Sequence, residues 1–153
     1  MKITEVKGDK KQYLSLLLLA DEQEDRIDSY LEAGVMYVLE DGGVKGECVV
    51  TDEGNGILEI KNIATDPAHH GKGYGRALVE FLAEKYQGKY SVLQAGTGDS
   101  PLTVPFYEKC GFIRSHRVKN FFLDHYDHPI YEGGVQLIDM VYFRRELPPG
   151  KPG

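Results

Sequence analysis

The chain has 153 residues, a formal net charge of −6 and 41% hydrophobic residues, which suits one domain with a real core and is too apolar for gross disorder. It has no basic run, and this argues against nucleic acid as the main partner, because neutralising a phosphate backbone takes clustered Lys and Arg. The mildly acidic balance is mostly a solubility feature and more weakly favours cationic substrates.

Two cysteines, Cys48 and Cys110, form no disulfide framework and no metal-ligand spacing, as expected of reduced thiols. The apolar run Leu14 to Ala20 is too short to span a bilayer, and Asp21-Glu22-Gln23-Glu24-Asp25 follows where a cleavage site would lie. The expectation is a cytoplasmic protein with no membrane partner.

Residues Met1 to Val6 read as a first strand, Lys10 to Ala20 as a helix, and Glu22 to Ala33 as a second helix stopped by Gly34. The acidic group Asp21, Glu22, Glu24, Asp25 and Asp28 falls at the break between them, where a solvated helix start is the ordinary reading and attraction of an amine the alternative. Val35 to Leu39 and Val44 to Thr51 flank Glu40-Asp41-Gly42-Gly43 as a hairpin, and Ile57 to Thr65 follows the turn at Gly54-Asn55-Gly56. Tyr74, Leu78, Phe81 and Leu82 have helical spacing, with Gly88 as the stop. Tyr90 to Ala95 is a strand. A short helix carries Phe106 to Cys110, capped by Thr103 with Pro105 in its first turn. The last strands are Phe112 to Phe122 and Val135 to Arg145, joined by a loop of about a dozen residues. The pattern predicts a single mixed α/β domain over residues 1–147, with a largely antiparallel sheet and about four helices, and a flexible tail at 148–153.

The most unusual stretch is Thr65-Asp66-Pro67-Ala68-His69-His70-Gly71-Lys72-Gly73-Tyr74-Gly75-Arg76, between a strand and a helix. Three glycines at alternate positions leave the backbone nearly bare, so that several N–H groups and a helix N-terminus can face an anion, typically a pyrophosphate. A P-loop would need Ser or Thr after Gly-Lys, and a dinucleotide fingerprint would need Gly-x-Gly-x-x-Gly; neither spacing is met.

With the strand residues before it, this stretch resembles the acyl-CoA-binding motif of the GNAT superfamily of N-acetyltransferases, Gln/Arg-x-x-Gly-x-Gly/Ala, which falls on His70, Gly73 and Gly75. Pro105-Phe106-Tyr107-Glu108-Lys109-Cys110-Gly111-Phe112 resembles the family's second signature, Phe-Tyr before Gly-Phe. The order of elements matches over nearly the whole chain. The resemblance implies an acetyl-CoA cleft where two parallel strands, Ile57–Thr65 and Tyr90–Ala95, splay apart. In it, backbone groups of Ile63, Ala64 and Thr65 would face the pantetheine arm and thioester, and His70, Gly71, Lys72, Gly73, Tyr74, Gly75 and Arg76 would hold the pyrophosphate. Ser100 falls where the family often has a cofactor-touching Asn, with Asp99 as the next candidate.

Transfer to an amine needs a base for the ammonium proton, donors for the developing oxyanion and an acid for the leaving thiolate. By the resemblance, Tyr107 is the acid; ordinary phenol and thiol pKa values differ by only about 1.5 units, so little tuning is required. Half-buried aromatic packing is the competing reading. Glu59 is the candidate base, six residues before Thr65 as in the histone-acetylating branch. Strand alternation puts Ile57, Glu59, Lys61, Ile63 and Thr65 on one face, with Leu58, Ile60 and Ala64 on the other. A Glu59–Lys61 pair is the alternative.

In the family the connection between the last two strands often lines the acceptor site. Here it carries His125, Tyr126 and His128 among acids and aromatics, suited to a cationic or amphipathic amine, although it could equally form a surface flap or a homodimer contact. His125-x-x-His128 lacks a third ligand at useful spacing, so no metal is expected. The expected function is direct acetyl transfer from acetyl-CoA to an amine-bearing small molecule. Alternatives are a protein amine as acceptor, a non-catalytic acyl-CoA sensor, or an interaction module.

Overall fold

The computed structural model describes residues 1–150. Its first strand, β1 (Lys2–Val6), leads through a 3-10 turn at Lys10–Tyr13 into two short helices, α1 (Leu14–Ala20) and α2 (Glu24–Asp28). Strands β2 (Val35–Glu40), β3 (Val44–Asp52) and β4 (Ile57–Thr65) follow, joined by tight turns. In those turns Gly42, Gly43, Gly54, Asn55 and Gly56 all take positive φ, as such residues do at least cost. Helix α3 (Tyr74–Tyr86), β5 (Val92–Gly98), α4 (Val104–Lys109) and β6 (Ile113–Val118) come next. The chain then forms α5 (Phe121–His125), a small hairpin of β7 (Ile130–Glu132) and β8 (Val135–Leu137), and β9 (Met140–Glu146).

Seven strands make one sheet in the order β1-β2-β3-β4-β5-β9-β6. Only β4 and β5 pair in parallel. This is the mixed, largely antiparallel α/β architecture expected from the sequence, with a fifth helix added. Alternation along β3 sorts the core into two layers: Val49 joins Leu17, Ile27, Leu31, Met36 and Val38 beneath α1 and α2, while Cys48 and Val50 join α3 on the opposite face. Helix α3 turns Tyr74, Leu78, Val79, Leu82 and Ala83 inward. Each large apolar side chain so buried contributes about 1.5–3 kcal/mol, so this stripe fixes the helix to the sheet.

Several boundaries differ from expectation: the strand expected over Val135 to Arg145 divides into β8 and β9, and the one expected over Tyr90 to Ala95 runs from Val92 to Gly98. The second helix stops at Asp28, and the Lys10 ammonium, from a distant segment, takes the carbonyls of Leu31 at 2.9 Å and Gly34 at 2.7 Å. The strand expected through Phe122 ends at Val118, because Asn120 adopts a left-handed φ of 58° that turns the chain into α5. The segment read as a loop therefore contains α5 and the β7–β8 hairpin. At the C-terminus the Pro148 carbonyl accepts the Gly88 N–H at 3.3 Å; residues 151–153 of the expected tail lie outside the described residues. No helix among the described residues is long and apolar enough to cross a membrane.

Two irregularities open the sheet at its centre. Strands β4 and β5 pair only from Ile57–Val92 to Ile60–Ala95, after which β5 continues along β9 to Gly98 and β4 runs on without it. A bulge in the β3–β4 ladder sets Val49 opposite Asn62 and Val50 opposite Ile60, leaving Lys61 unopposed. The extra residue reverses the alternation. Leu58 and Ile60 lie on the α3 face before the bulge and Ile63 after it, whereas Asn62 reaches α1. Glu59 therefore lies on the face opposite Ile63, and the simple period-2 assignment that put them together is corrected.

Candidate active site

The open side of β4 follows from hydrogen-bond parity. Asp66 N–H donates to Lys45 O at 2.8 Å, in register with the ladder. Alternation then commits the backbone groups of Ala64 to Glu47 and turns those of Ile63 and Thr65 toward β5, beyond the last β4–β5 pair. Of the three residues expected to offer backbone groups to a donor, Ile63 and Thr65 have them free. Ala64 does not, which corrects that assignment.

At the end of β4 the Asp66 carboxylate accepts the Ala68 N–H at 3.0 Å and closes a 3-10 turn over Pro67–His69, after which His70 is extended. Gly71 and Gly73 have φ of 83° and 78°, and a Cβ at either would meet nothing within 4 Å, so conformation alone demands glycine there. Gly75 serves packing instead: its Cβ would stand 2.9 Å from Phe106 Cε1, so the glycine lets α4 close on α3. Gly73 caps α3 without any side-chain hydrogen bond, and the first-turn N–H groups face outward beside exposed His70, Lys72 and Arg76. That is an anion cradle built from backbone and flanking cations. Tyr74 is buried and its hydroxyl donates to Asp41 at 2.7 Å, so only its main chain belongs to the loop.

Helix α4 brings Tyr107 to the cleft from the α3 face. Its ring stacks on Phe143 with centroids 5.8 Å apart and meets Phe106 and Phe112 edge-on. The hydroxyl has no protein hydrogen-bond partner, while the buried ring is fixed by its aromatic neighbours. Burial, followed by the charges of Cys110, Glu132, Glu47 and Glu59, raises the phenol pKa well above its ordinary value. The expectation that proton transfer needs little tuning is thereby corrected for the free protein. Ser100 is buried, accepts the Leu102 N–H at 3.0 Å and faces Glu132, so its side chain organises the entry to α4. Thr103 is the N-cap as predicted, but its hydroxyl pairs with Thr97 at 2.7 Å instead of capping the helix.

Glu59, 5% exposed, stands in a polar row across the sheet. Its Oε1 accepts Gln94 Nε2 at 2.5 Å, its Oε2 meets Lys61 Nζ at 2.8 Å, and Gln94 Oε1 accepts Arg144 Nε at 2.8 Å. Both carboxylate oxygens are engaged. Burial works against the Lys61 ammonium, but the Glu59 carboxylate outweighs it and the Lys61 pKa ends above its usual value.

The third wall joins the α1–α2 junction to the 121–137 segment. The Asp21 carboxylate accepts Tyr126 Oη at 2.7 Å and Tyr30 Oη at 3.1 Å, and Tyr30 Oη accepts Asn62 Nδ2 at 3.1 Å. Burial raises the Asp21 pKa against the opposing pull of these hydroxyls. His128 lies between Asp127, at 2.5 Å, and Glu22, at 2.9 Å. His125 packs on Phe121 at the end of α5, with centroids 4.4 Å apart. Tyr126 and His128 are thus drawn to the acidic junction and His125 is not. The sequence reading passed over Asn62, Gln94 and Tyr30; a polar residue inside an apolar strand is the only local signal that marked the first two.

The family model for the GNAT acetyltransferase domain matches residues 32–114. The uncharacterized N-acetyltransferase YvbK of Bacillus subtilis (strain 168) is 39% identical over 135 residues, covering 86% of this chain and 87% of that protein. A crystal structure of a B. subtilis acetyltransferase in complex with CoA superposes with a TM-score of 0.87 at 35% identity, covering 95% of this chain and 98% of the other. A GNAT family acetyltransferase from Elizabethkingia anophelis with acetyl-CoA bound gives 0.86 at 35% identity, over 95% and 98% of the two chains. With the open parallel pair, the glycine loop and the Phe-Tyr helix in the family's order, the chain belongs to the GNAT family of N-acetyltransferases.

Proposed function

We propose that this protein transfers the acetyl group of acetyl-CoA directly to the primary amine of a small molecule, both held together in one complex. The observation that carries the reading is the gap beyond Ile60–Ala95, with free backbone groups on β4 at one edge and an uncapped, cation-flanked helix start at its end. The bare cradle at Gly71 and Gly73 fits a pyrophosphate, and relatives at 35% identity hold CoA or acetyl-CoA. When bound, acetyl-CoA supplies an activated acetyl thioester.

The chain's own residues divide the remaining work. The free N–H groups of Ile63 and Thr65 orient the donor and oppose charge growing on its carbonyl oxygen. Tyr107 holds a proton for the leaving sulfur on a ring fixed by its aromatic neighbours, and its raised pKa keeps the phenol protonated until the thiolate leaves. Glu59 stands at the family's base position, with its oxygens on Lys61 and Gln94. The acids Asp21 and Glu22 at the acceptor side favour a cationic acceptor.

The test is an acetyl-CoA turnover screen over pooled primary amines, with products identified by mass, beside a thermal-shift titration with acetyl-CoA. A stabilised protein and a product heavier by one acetyl group are expected. Stabilisation without product from any small amine or amine-bearing peptide would leave a donor-binding sensor in place of an enzyme of this chemistry.

A further inference from the structure

Among the described residues, four buried side-chain atoms have no hydrogen-bond partner, and three of them are oxygens on neighbouring strands: both carboxylate oxygens of Glu47 and Oδ1 of Asn62. Glu47 is 0% exposed. It lies opposite Ala64 in the β3–β4 ladder and diagonal to Asn62, which is opposite Val49. All of these residues point to the α1–α2 face. Asn62 is locked in orientation, because its Nδ2 donates to Leu17 O at 3.0 Å and Tyr30 Oη at 3.1 Å, leaving its oxygen as the only free polar atom. The Ala64 N–H is near enough to favour the charged carboxylate, yet parity commits it to the ladder and it is not in hydrogen-bonding geometry.

An enclosed carboxyl without a partner is destabilising, and such a group in a native core calls for an explanation. The fourth atom, Arg26 Nε on α2, is a donor, whereas Glu47 and Asn62 together offer three free acceptor oxygens, which suit a ligand group that has only donors. A primary ammonium is that group. Glu47 lies on the strand next to β4, opposite Ala64, whose neighbours Ile63 and Thr65 carry the groups that β5 leaves unpaired.

We infer that Glu47 and Asn62 Oδ1 receive the acceptor's ammonium and that Glu47, not Glu59, takes its proton. This rests on the direct-transfer reading above. The contrast between the two glutamates supports it: Glu59 has both oxygens engaged and Glu47 has neither. Burial pushes the Glu47 carboxyl well above the usual carboxylate range, the direction in which a general base differs from an ordinary carboxylate. Its charge is also felt by Cys48, Tyr30 and Tyr107, the titratable groups around it on β3, after α2 and on α4. In the step itself, one N–H bond of the ammonium breaks and an O–H bond forms on Glu47. The freed nitrogen lone pair makes the C–N bond as the C–S bond breaks, the thiolate takes the Tyr107 proton, and the nitrogen's second proton restores the phenol. Glu59 then acts as a positioning residue, keeping Lys61, Gln94 and Arg144 in line.

The test begins with a carbon-13 titration of the full chain labelled at the glutamate carboxyl carbons. One resonance should titrate well above the others and be missing in Glu47→Gln. Titration of Glu47 with the ordinary carboxylates overturns the inference. With an acceptor from the amine screen, Glu47→Gln should lower kcat/KM by about 10²-fold or more and remove the acidic limb of the pH profile, while the acetyl-CoA KM is unchanged. Glu59→Gln should lower it less and keep the limb. The reverse order overturns the assignment. Should Glu47→Gln not fold, Glu47→Asp, which withdraws the carboxylate by about 1.5 Å, should keep the raised titration and lose rate. If the wild type acetylates no amine, the direct-transfer reading fails on its own account. The titration then decides Glu47 alone: an elevated value abolished by the substitution supports the buried site, and an ordinary one removes it.

Discussion

On the proposed donor side of the cleft, Gly71, Gly73 and the free backbone groups of Ile63 and Thr65 form a surface made almost wholly of main chain. On the proposed acceptor side, Asp21 from the α1–α2 junction, Asn62 from β4, Tyr30 and Tyr126 join side chains that are up to 105 residues apart. A main-chain site depends on conformations that few residues tolerate, so it is narrow in sequence and general in use. A side-chain site depends on which elements come together, so it can change its ligand while the fold stays. The same fold can therefore keep one donor and vary its acceptors.

The sharpest probe of this contrast lies between the two sides. Tyr107→Phe should lower kcat by about 10²-fold or more, with both KM values little changed, measured by steady-state kinetics. Because burial raises the Tyr107 pKa, the wild-type rate should show no loss from phenol ionisation below about pH 10. Equal turnover by the two proteins would return Tyr107 to a packing role.

Next in size is the donor side itself. Gly73→Val forces a branched side chain to φ 78° in open space. The strain is about 1–2 kcal/mol, which predicts roughly tenfold weaker CoA binding by calorimetry with the acceptor KM unaffected. If CoA bound equally well, the main-chain account of the cradle would be wrong.

The acceptor side should respond in the opposite sense. Asp21→Asn keeps the shape but weakens the two tyrosine hydrogen bonds, each with a net contribution of about 1 kcal/mol. The acceptor KM should rise several-fold while the acetyl-CoA KM holds, and faster amide exchange in residues 121–137 would report the loosened wall.

The smallest effect concerns His128. Hydrogen bonds that it donates to Asp127 and Glu22 raise its pKa. A histidine raised in the folded state contributes stability that is complete below the unfolded value near 6.5 and is lost as pH rises through the folded value. The melting-temperature difference between wild type and His128→Gln should accordingly shrink to nothing as the buffer passes above that range. A difference that grew with pH would reverse the assigned charge.

The sequence by itself determined the sheet, α3, the glycine loop and the Phe-Tyr helix, because each rests on local rules: alternation, helical spacing, positive-φ turns and a cap. His70 to Arg76 could be read as a cradle since adjacent backbone groups make it. Only the tertiary structure decided which backbone groups on β4 are free, because one bulge at Lys61 reverses the parity and moves Glu59 to the other face from Ile63. Only it showed that Glu59 is already paired, that Asp21 is held by two tyrosines, and that Glu47 is enclosed without a partner. Those are relations between distant segments, and no local pattern in a single chain encodes them.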